Sequence, residues 1–261
     1  MSFDAFGRLL PLSNDRVYSK VDRGYFDLRQ PALNWGTIGT RIQRLFDDSK
    51  NTSFSLPIVR ERLESFRKNA LENSDVRGLF EGVHVPFALP PSKDPDLGRE
   101  LEDVFIPAVC RSFLAEYGDF SAKNLCVGTL PGAVKVVPNT RWDRLQQART
   151  QSPVMGWYFP LALKGFAIPD QRTLISRLPE AMILSGPLEI AASLVACPEL
   201  LMRQDDKYPN LLAVSAIEPL DANQAHMFWF FEAYGWNLCF NRRSMVGPVS
   251  EYFSGGITLL A

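Results

Sequence analysis

The stretch HMFWFFEAYGWNLCF, from His226 to Phe240, decides what fold we expect for the C-terminal half of the chain. Seven of its fifteen residues are aromatic, and it holds one of the two histidines in the sequence. Two apolar runs flank a turn around Ala233–Gly235, which predicts a β-hairpin. Alternation divides the first run between two faces, one with His226, Phe228 and Phe230 and the other with Met227, Trp229 and Phe231.

Both faces of this first run are apolar, so water should be excluded from both sides of the strand. The expected arrangement is a central strand that helices cover on one face and the N-terminal arm covers on the other. Two alternatives stay open: a protein interface, for which Trp and Phe are typical anchors, and a small-molecule pocket. In the second run Trp236, Leu238 and Phe240 share a core-facing side.

Working outward from the hairpin, the chain mixes helical and extended patterns without a steady βαβ rhythm. Helices are expected over Thr40–Asp48, Leu56–Leu71, Asp96–Tyr117 with a kink or a split at Pro107, Thr140–Arg149, Gln171–Leu178, and Ser185–Asp206 with a break at Cys197-Pro198. Strands are expected over Gly78–Pro91, within Asn124–Val137 on both sides of Pro131-Gly132, over Val154–Leu163 with Pro160 favouring an edge or a bulge, and over Leu211–Pro219. This alternation predicts an α+β fold with a mixed, largely antiparallel sheet and flanking helices.

We expect residues 1–50 to form an irregular, apolar N-terminal arm and residues 51–261 to form a single α+β domain. Glycine and proline interrupt the arm throughout, and its apolar residues keep no regular period. It is too apolar to be left in water, so we expect it to pack on its own domain or on a partner subunit.

The composition of the chain excludes several classes of protein. It has 261 residues, of which 46% are hydrophobic and 22% charged, with a formal net charge of −1. No run of Lys or Arg exceeds two residues, so no nucleic-acid partner is expected. The start of the chain lacks the pattern of a secretory signal, and no segment reaches the length of a membrane span. We therefore expect a soluble, cytoplasmic protein.

Residues that carry chemistry are sparse. Phosphate-binding and nucleophile-elbow motifs are absent, the four cysteines are far apart among apolar neighbours, and neither a metal nor a cofactor is expected. His84 and His226 are each expected to be structural. An enzyme that the fold assembles near His226 or His84, a hydrolase or transferase, stays the alternative, and a pair of Cys239 with His226 is one form of it.

The segments EGVHVPFAL (Glu81–Leu89) and SGPLEIAASLVACPELL (Ser185–Leu201), together with Gly235-Trp236, resemble an uncharacterised bacterial family of unknown function. The matching pieces cover under a third of the chain. Asn237 and Leu238 follow Gly235-Trp236, where that family tends to continue with cysteine and an aromatic residue. The resemblance implies a shared α+β domain, and it carries no activity or site residues.

The combined pattern favours a non-catalytic, protein-binding subunit or accessory component of a larger cytoplasmic assembly. Its partners would be other protein subunits, whether copies of this chain or different proteins. The aromatic residues of the arm and of the hairpin are the interface candidates: Phe3, Phe6, Tyr25, Phe26, Trp35, Trp229, Phe231 and Trp236.

Overall fold

The computed structural model describes residues 2–12, 15, 28–50, 54–92, 94–202, 210–234, 237–245 and 255–261. The helices are α1 (Trp35–Asp48), α2 (Leu56–Glu72), α3 (Leu97–Glu100), α4 (Ile106–Glu116), α5 (Trp142–Arg149), α6 (Ile168–Leu174) and α7 (Pro187–Ala196). The strands are β1 (Val85–Leu89), β2 (Ala122–Asn124), β3 (Val134–Val136), β4 (Val154–Phe159), β5 (Ile183–Leu184), β6 (Asn210–Ala213), β7 (Ile217–Pro219), β8 (Met227–Tyr234), β9 (Asn237–Ser244) and β10 (Ile257–Leu260). Antiparallel pairing dominates, which confirms the predicted α+β class.

The first sheet has the strand order β1-β4-β10-β5 and is antiparallel throughout. The C-terminal strand β10 therefore lies in its interior, between β4 and β5. Of the two alternatives predicted for Val154–Leu163, the edge position is wrong, because β4 pairs on both sides and ends at Phe159, before Pro160 can remove a ladder hydrogen bond. The predicted strand Gly78–Pro91 is shorter than expected, since a 3-10 turn occupies Arg77–Glu81.

The second sheet has the order β2-β9-β8-β6 and contains the hairpin predicted from the aromatic stretch. Strands β8 and β9 pair from Met227 opposite Ser244 to Tyr234 opposite Asn237. Strand β2 joins β9 in parallel, while β3 pairs with β7 in a separate ribbon. The two strands predicted around Pro131-Gly132 thus belong to different sheets, and most of the predicted strand NLCVGTL is a loop.

Helix α7 lies at the centre of the molecule. All ten of its residues are buried, and it packs against α1, α4 and β1. Pro187 occupies the first turn, where its missing N–H costs nothing, and the helix ends before Pro198 as predicted. The helix predicted over Asp96–Tyr117 is divided by a π-helical turn at Leu101–Phe105, directly before Pro107.

The described part of the N-terminal arm packs on its own domain. Phe3 lies so close to Gly78 that a Cβ there would sit 2.7 Å from its ring, and a Cβ on Gly82 would sit 2.2 Å from the Phe6 carbonyl oxygen. The amide of Leu9 donates to the Ala162 carbonyl oxygen at 2.8 Å. Helix α1, which lies entirely within residues 1–50, buries its apolar side chains Ile38, Ile42, Leu45 and Phe46 in the main core.

Candidate functional site

His84 lies at the edge of the main core, immediately before β1. Its ring is 7% exposed, and its centroid lies 5.2 Å from that of Phe80 and 5.4 Å from that of Trp157. Nδ1 lies 2.8 Å from the Gly82 carbonyl oxygen, to which it donates as the neutral tautomer. Burial lowers the pKa of His84, and the positive charge of Arg67 lowers it further. A neutral, hydrogen-bonded ring among aromatic side chains is typical of a structural histidine.

His226 and Cys239 do not form the pair that the sequence left open. His226 is exposed and directly precedes β8, whereas Cys239 lies opposite Glu232 in the hairpin. Six residues along an extended strand separate these two positions, which amounts to about 20 Å. The hypothesis that Cys239 is a nucleophile activated by His226 is therefore wrong.

The four cysteines are free thiols, of which Cys126 and Cys197 are buried and Cys110 and Cys239 half-buried. Burial raises the pKa of Cys110 and Cys126 to about 11 and that of Cys197 to about 12. Thiols with such pKa values stay protonated at neutral pH and are poor nucleophiles. Within the described ranges no three or more metal-binding side chains come together as a potential metal site.

The sequence prediction missed a buried polar cluster centred on Glu189. The Glu189 carboxylate accepts the Gly186 N–H at 2.6 Å, and Trp142 Nε1 lies 2.9 Å from each of its oxygens. Thr258 Oγ1 on β10 lies 3.4 Å from the same carboxylate and 2.8 Å from Ser185 Oγ. Burial raises the pKa of Glu189, and these donors oppose the rise without cancelling it.

Two further hydroxyls are buried, that of Tyr158 on β4, close enough to interact with Glu189, and that of Ser193 on α7. Tyr158 Oη and Ser193 Oγ are buried and have no hydrogen-bond partner among the described residues. Burial holds the pKa of Tyr158 well above its usual value, and the negative charge of Glu189 adds to that effect. Every member of the cluster is 0% exposed, so a substrate has no direct access to the acid. The arrangement therefore serves to connect α5, α7 and β10. The one local sequence signal of this cluster is a helix-capping pattern, in which Glu189 stands at the third position of the helix that follows Gly186.

Two of the three hairpin residues predicted as interface anchors, Trp229 and Phe231, lie in the core. Trp229 and Phe231 are 2% and 0% exposed, and they face the main core with Leu238 and Phe240. On the opposite face, Phe228 and Phe230 form a second cluster that includes Ile168 of α6. One face of this strand was expected to meet the N-terminal arm, but residues 2–12 of the arm dock elsewhere, on Gly78, Gly82 and Ala162.

The arm residues predicted as interface anchors occupy mixed positions. Phe3 and Trp35 are half-buried against the main core, whereas Phe6 is 62% exposed. Tyr25, Phe26 and Trp236 lie outside the described residues. Among the predicted anchors that the structure describes, Phe6 is thus the exposed one.

A different set of apolar side chains is presented to solvent near the second sheet. Leu125 and Val127 are 54% and 71% exposed, in the loop that connects β2 to β3, and Leu220 is 56% exposed. Leu220 belongs to the neighbouring segment, and its amide donates to the Ala133 carbonyl oxygen at the end of the same loop, at 2.8 Å. We call Leu125, Val127 and Leu220 the loop surface. The sequence did not indicate this surface, because the segment NLCVGTL (Asn124–Leu130) has a composition typical of a strand.

The chain matches no protein-family model, no curated protein and no solved structure. The family resemblance of segments 81–89 and 185–201 thus stays a sequence observation. Among the residues described, no helix combines the length and apolar character that crossing a membrane requires.

Proposed function

We propose that this protein is a non-catalytic, protein-binding subunit or accessory component of a cytoplasmic assembly, and that it binds its partner through the loop surface. The observation that carries the proposal is the exposure of Leu125, Val127 and Leu220 outside the core. Exposed apolar side chains of this kind are candidates for contact with a partner protein.

The loop surface is held in place by buried contacts beneath it. The Glu102 carboxylate accepts the backbone amides of Gly128 and Leu130, and the side chains of Cys126 and Leu130 are buried. Leu125 and Val127 are therefore fixed facing outward rather than free to fold back. A surface that is already ordered loses less conformational entropy when it binds, which favours affinity.

The proposal is tested by affinity purification of the tagged full-length chain from its native cells, with proteins identified by mass spectrometry. Val127→Asp is compared with Ile58→Asp, since Ile58 is 57% exposed on α2 and lies outside the loop surface. We expect a partner that is retained by wild type and by Ile58→Asp and is depleted at least about tenfold by Val127→Asp, which corresponds to about 1.4 kcal/mol of binding free energy. A set of bound proteins that is the same for all three chains would contradict the proposal.

A further inference from the structure

Strand β2 is the outer strand of the second sheet, next to the loop surface. It pairs with β9 in parallel, with Ala122 opposite Leu238 and Asn124 opposite Phe240. The Leu238 amide donates to the Ser121 carbonyl oxygen at 2.8 Å, and the Leu125 amide donates to the Phe240 carbonyl oxygen at 2.8 Å.

This pattern fixes which peptide groups of β2 point away from the sheet. In a parallel ladder alternate residues bond to the same neighbouring strand, so Ser121, Lys123 and Leu125 face β9. The N–H and C=O groups of Ala122 and Asn124 therefore face outward. Among the described residues no backbone hydrogen bond occupies these outward groups. Such an edge is a template for an added strand.

The charge on this edge restricts which partner strand can pair with β2. Lys123 is exposed at the middle of β2. If two copies of β2 paired antiparallel about Lys123, two ammonium groups would face each other, and like charges directly opposite one another destabilise a sheet. An acidic side chain at the opposing position would instead be stabilising. The edge therefore favours a different chain over a second copy of this one.

We propose that β2 is the docking edge for an extended segment of a different protein, which adds as a strand beside Ala122–Asn124 and places an acidic side chain opposite Lys123. An apolar side chain of that segment would pack against Leu125, which is exposed at the end of β2. This inference rests on the proposed function and names its mode of binding, in which backbone hydrogen bonds supply affinity and side chains supply selectivity.

Two pools of short fluorescent peptides test the selectivity of this edge. Both pools alternate valine or isoleucine with polar residues, and they differ in having a fixed central glutamate or a fixed central lysine. Fluorescence anisotropy with the full chain should show tighter binding of the glutamate pool by about twofold to fivefold, the range expected for one cross-strand charge pair. Lys123→Glu should reverse the preference. Equal binding of the two pools, or no binding of either, would overturn the proposal.

Ala122→Pro tests the backbone contribution. It removes the outward N–H of Ala122 and leaves the bonds between β2 and β9 in place, and Ala122→Ser is the control that keeps the N–H. We expect Ala122→Pro to abolish binding of the glutamate pool and Ala122→Ser to retain it. Because Ala122→Pro could disturb folding, amide hydrogen exchange of the wild type is measured as well. The Ala122 and Asn124 amides should exchange more slowly with the bound glutamate pool, and unchanged exchange on binding would overturn strand addition.

The proposed function and the strand-addition mode can fail separately. If Val127→Asp depletes the native partner while Ala122→Pro, shown to be folded, retains it, the loop surface binds through side chains alone. Strand addition is then wrong and the protein-binding function is supported. If neither substitution changes the proteins bound, both proposals are wrong.

Discussion

A single residue, Glu189, makes the free energy of unfolding depend on pH. Its pKa is raised in the folded protein above the ordinary value of 4.5 because the carboxyl group is buried. An acid whose pKa is raised on folding stabilises the protonated protein, so this contribution is fully present below pH 4.5 and is lost as pH rises through the folded pKa. Glu189→Gln removes the titration, and we therefore expect its unfolding free energy to fall less than that of wild type over this rise in pH.

Urea unfolding followed by circular dichroism at a series of pH values measures this difference. Glu232→Gln is the matched control, because Glu232 also has a raised pKa from burial but is only half-buried. Its substitution should flatten the pH dependence less than Glu189→Gln does. Identical pH dependence in wild type and Glu189→Gln would show that the carboxyl titrates alike in the folded and unfolded chains.

Tyr158 carries a buried hydroxyl whose removal should cost little. Because Tyr158 Oη has no hydrogen-bond partner among the described residues, Tyr158→Phe removes an unsatisfied polar atom. We expect the unfolding free energy to be unchanged or raised by about 1 kcal/mol. Trp142→Phe is the contrasting variant, since it removes the Nε1 donor to Glu189 and leaves a cavity, and it should destabilise by about 3 kcal/mol. A loss of more than about 1 kcal/mol in Tyr158→Phe would mean that the hydroxyl is hydrogen-bonded.

At the scale of elements, two glycines should respond to alanine with opposite signs. A Cβ on Gly156 in β4 would lie 2.0 Å from the Leu259 carbonyl oxygen, so Gly156→Ala must separate β4 from β10. We expect a loss of about 1–3 kcal/mol. Gly36 in α1 has room for a methyl group, because a Cβ there would lie 3.4 Å from Asn34 Oδ1, and Gly36→Ala should stabilise by up to about 1 kcal/mol. Thermal unfolding by calorimetry compares the two, and a tolerated Gly156→Ala would contradict the close packing of these strands.

Local sequence patterns predicted which segments form helices and strands better than they predicted where each strand lies in its sheet. The alternation of Met227–Tyr234 and Asn237–Ser244 predicted the hairpin, and the spacing over Leu56–Glu72 predicted α2. The edge assignment of Val154–Phe159 failed because β10, about a hundred residues later, supplies the second neighbour. Strand order depends on which distant segment completes the hydrogen bonds, and no local period records that.

The candidate sites show the same division between local pattern and distant contact. Aromatic content alone could not distinguish a core position from an interface position, and Trp229 and Phe231 lie in the core. The exposure of Leu125 and Val127 depends on Glu102, a residue on the preceding helical segment that binds the loop amides. The Glu189 cluster likewise joins side chains from α5, α7 and β10, which only the complete fold brings together.

At the scale of the whole molecule, we expect the first part of the arm, residues 2–12, to detach without the domain unfolding, whereas α1 stays in the main core. Residues 2–12 form their own turn, in which Asp4 accepts the amides of Phe6 and Arg8, and they meet the domain mainly through Phe3, Gly7 and Leu9. Regions held by few buried contacts open at lower free energy than the core does.

Leu9→Ala tests this separation, because Leu9 is 5% exposed and anchors the arm, whereas Leu45 on α1 is 0% exposed in the main core. A buried Leu→Ala substitution costs about 2–5 kcal/mol when its site unfolds only with the whole protein. We expect Leu45→Ala to lower the melting temperature as much as the full loss of unfolding free energy requires. Leu9→Ala should lower the melting temperature less, and it should speed proteolytic cleavage within residues 1–12. Phe6→Ala, at a 62% exposed position, should change neither quantity. If Leu9→Ala lowers the melting temperature as much as Leu45→Ala and leaves cleavage unchanged, the arm unfolds only together with the core.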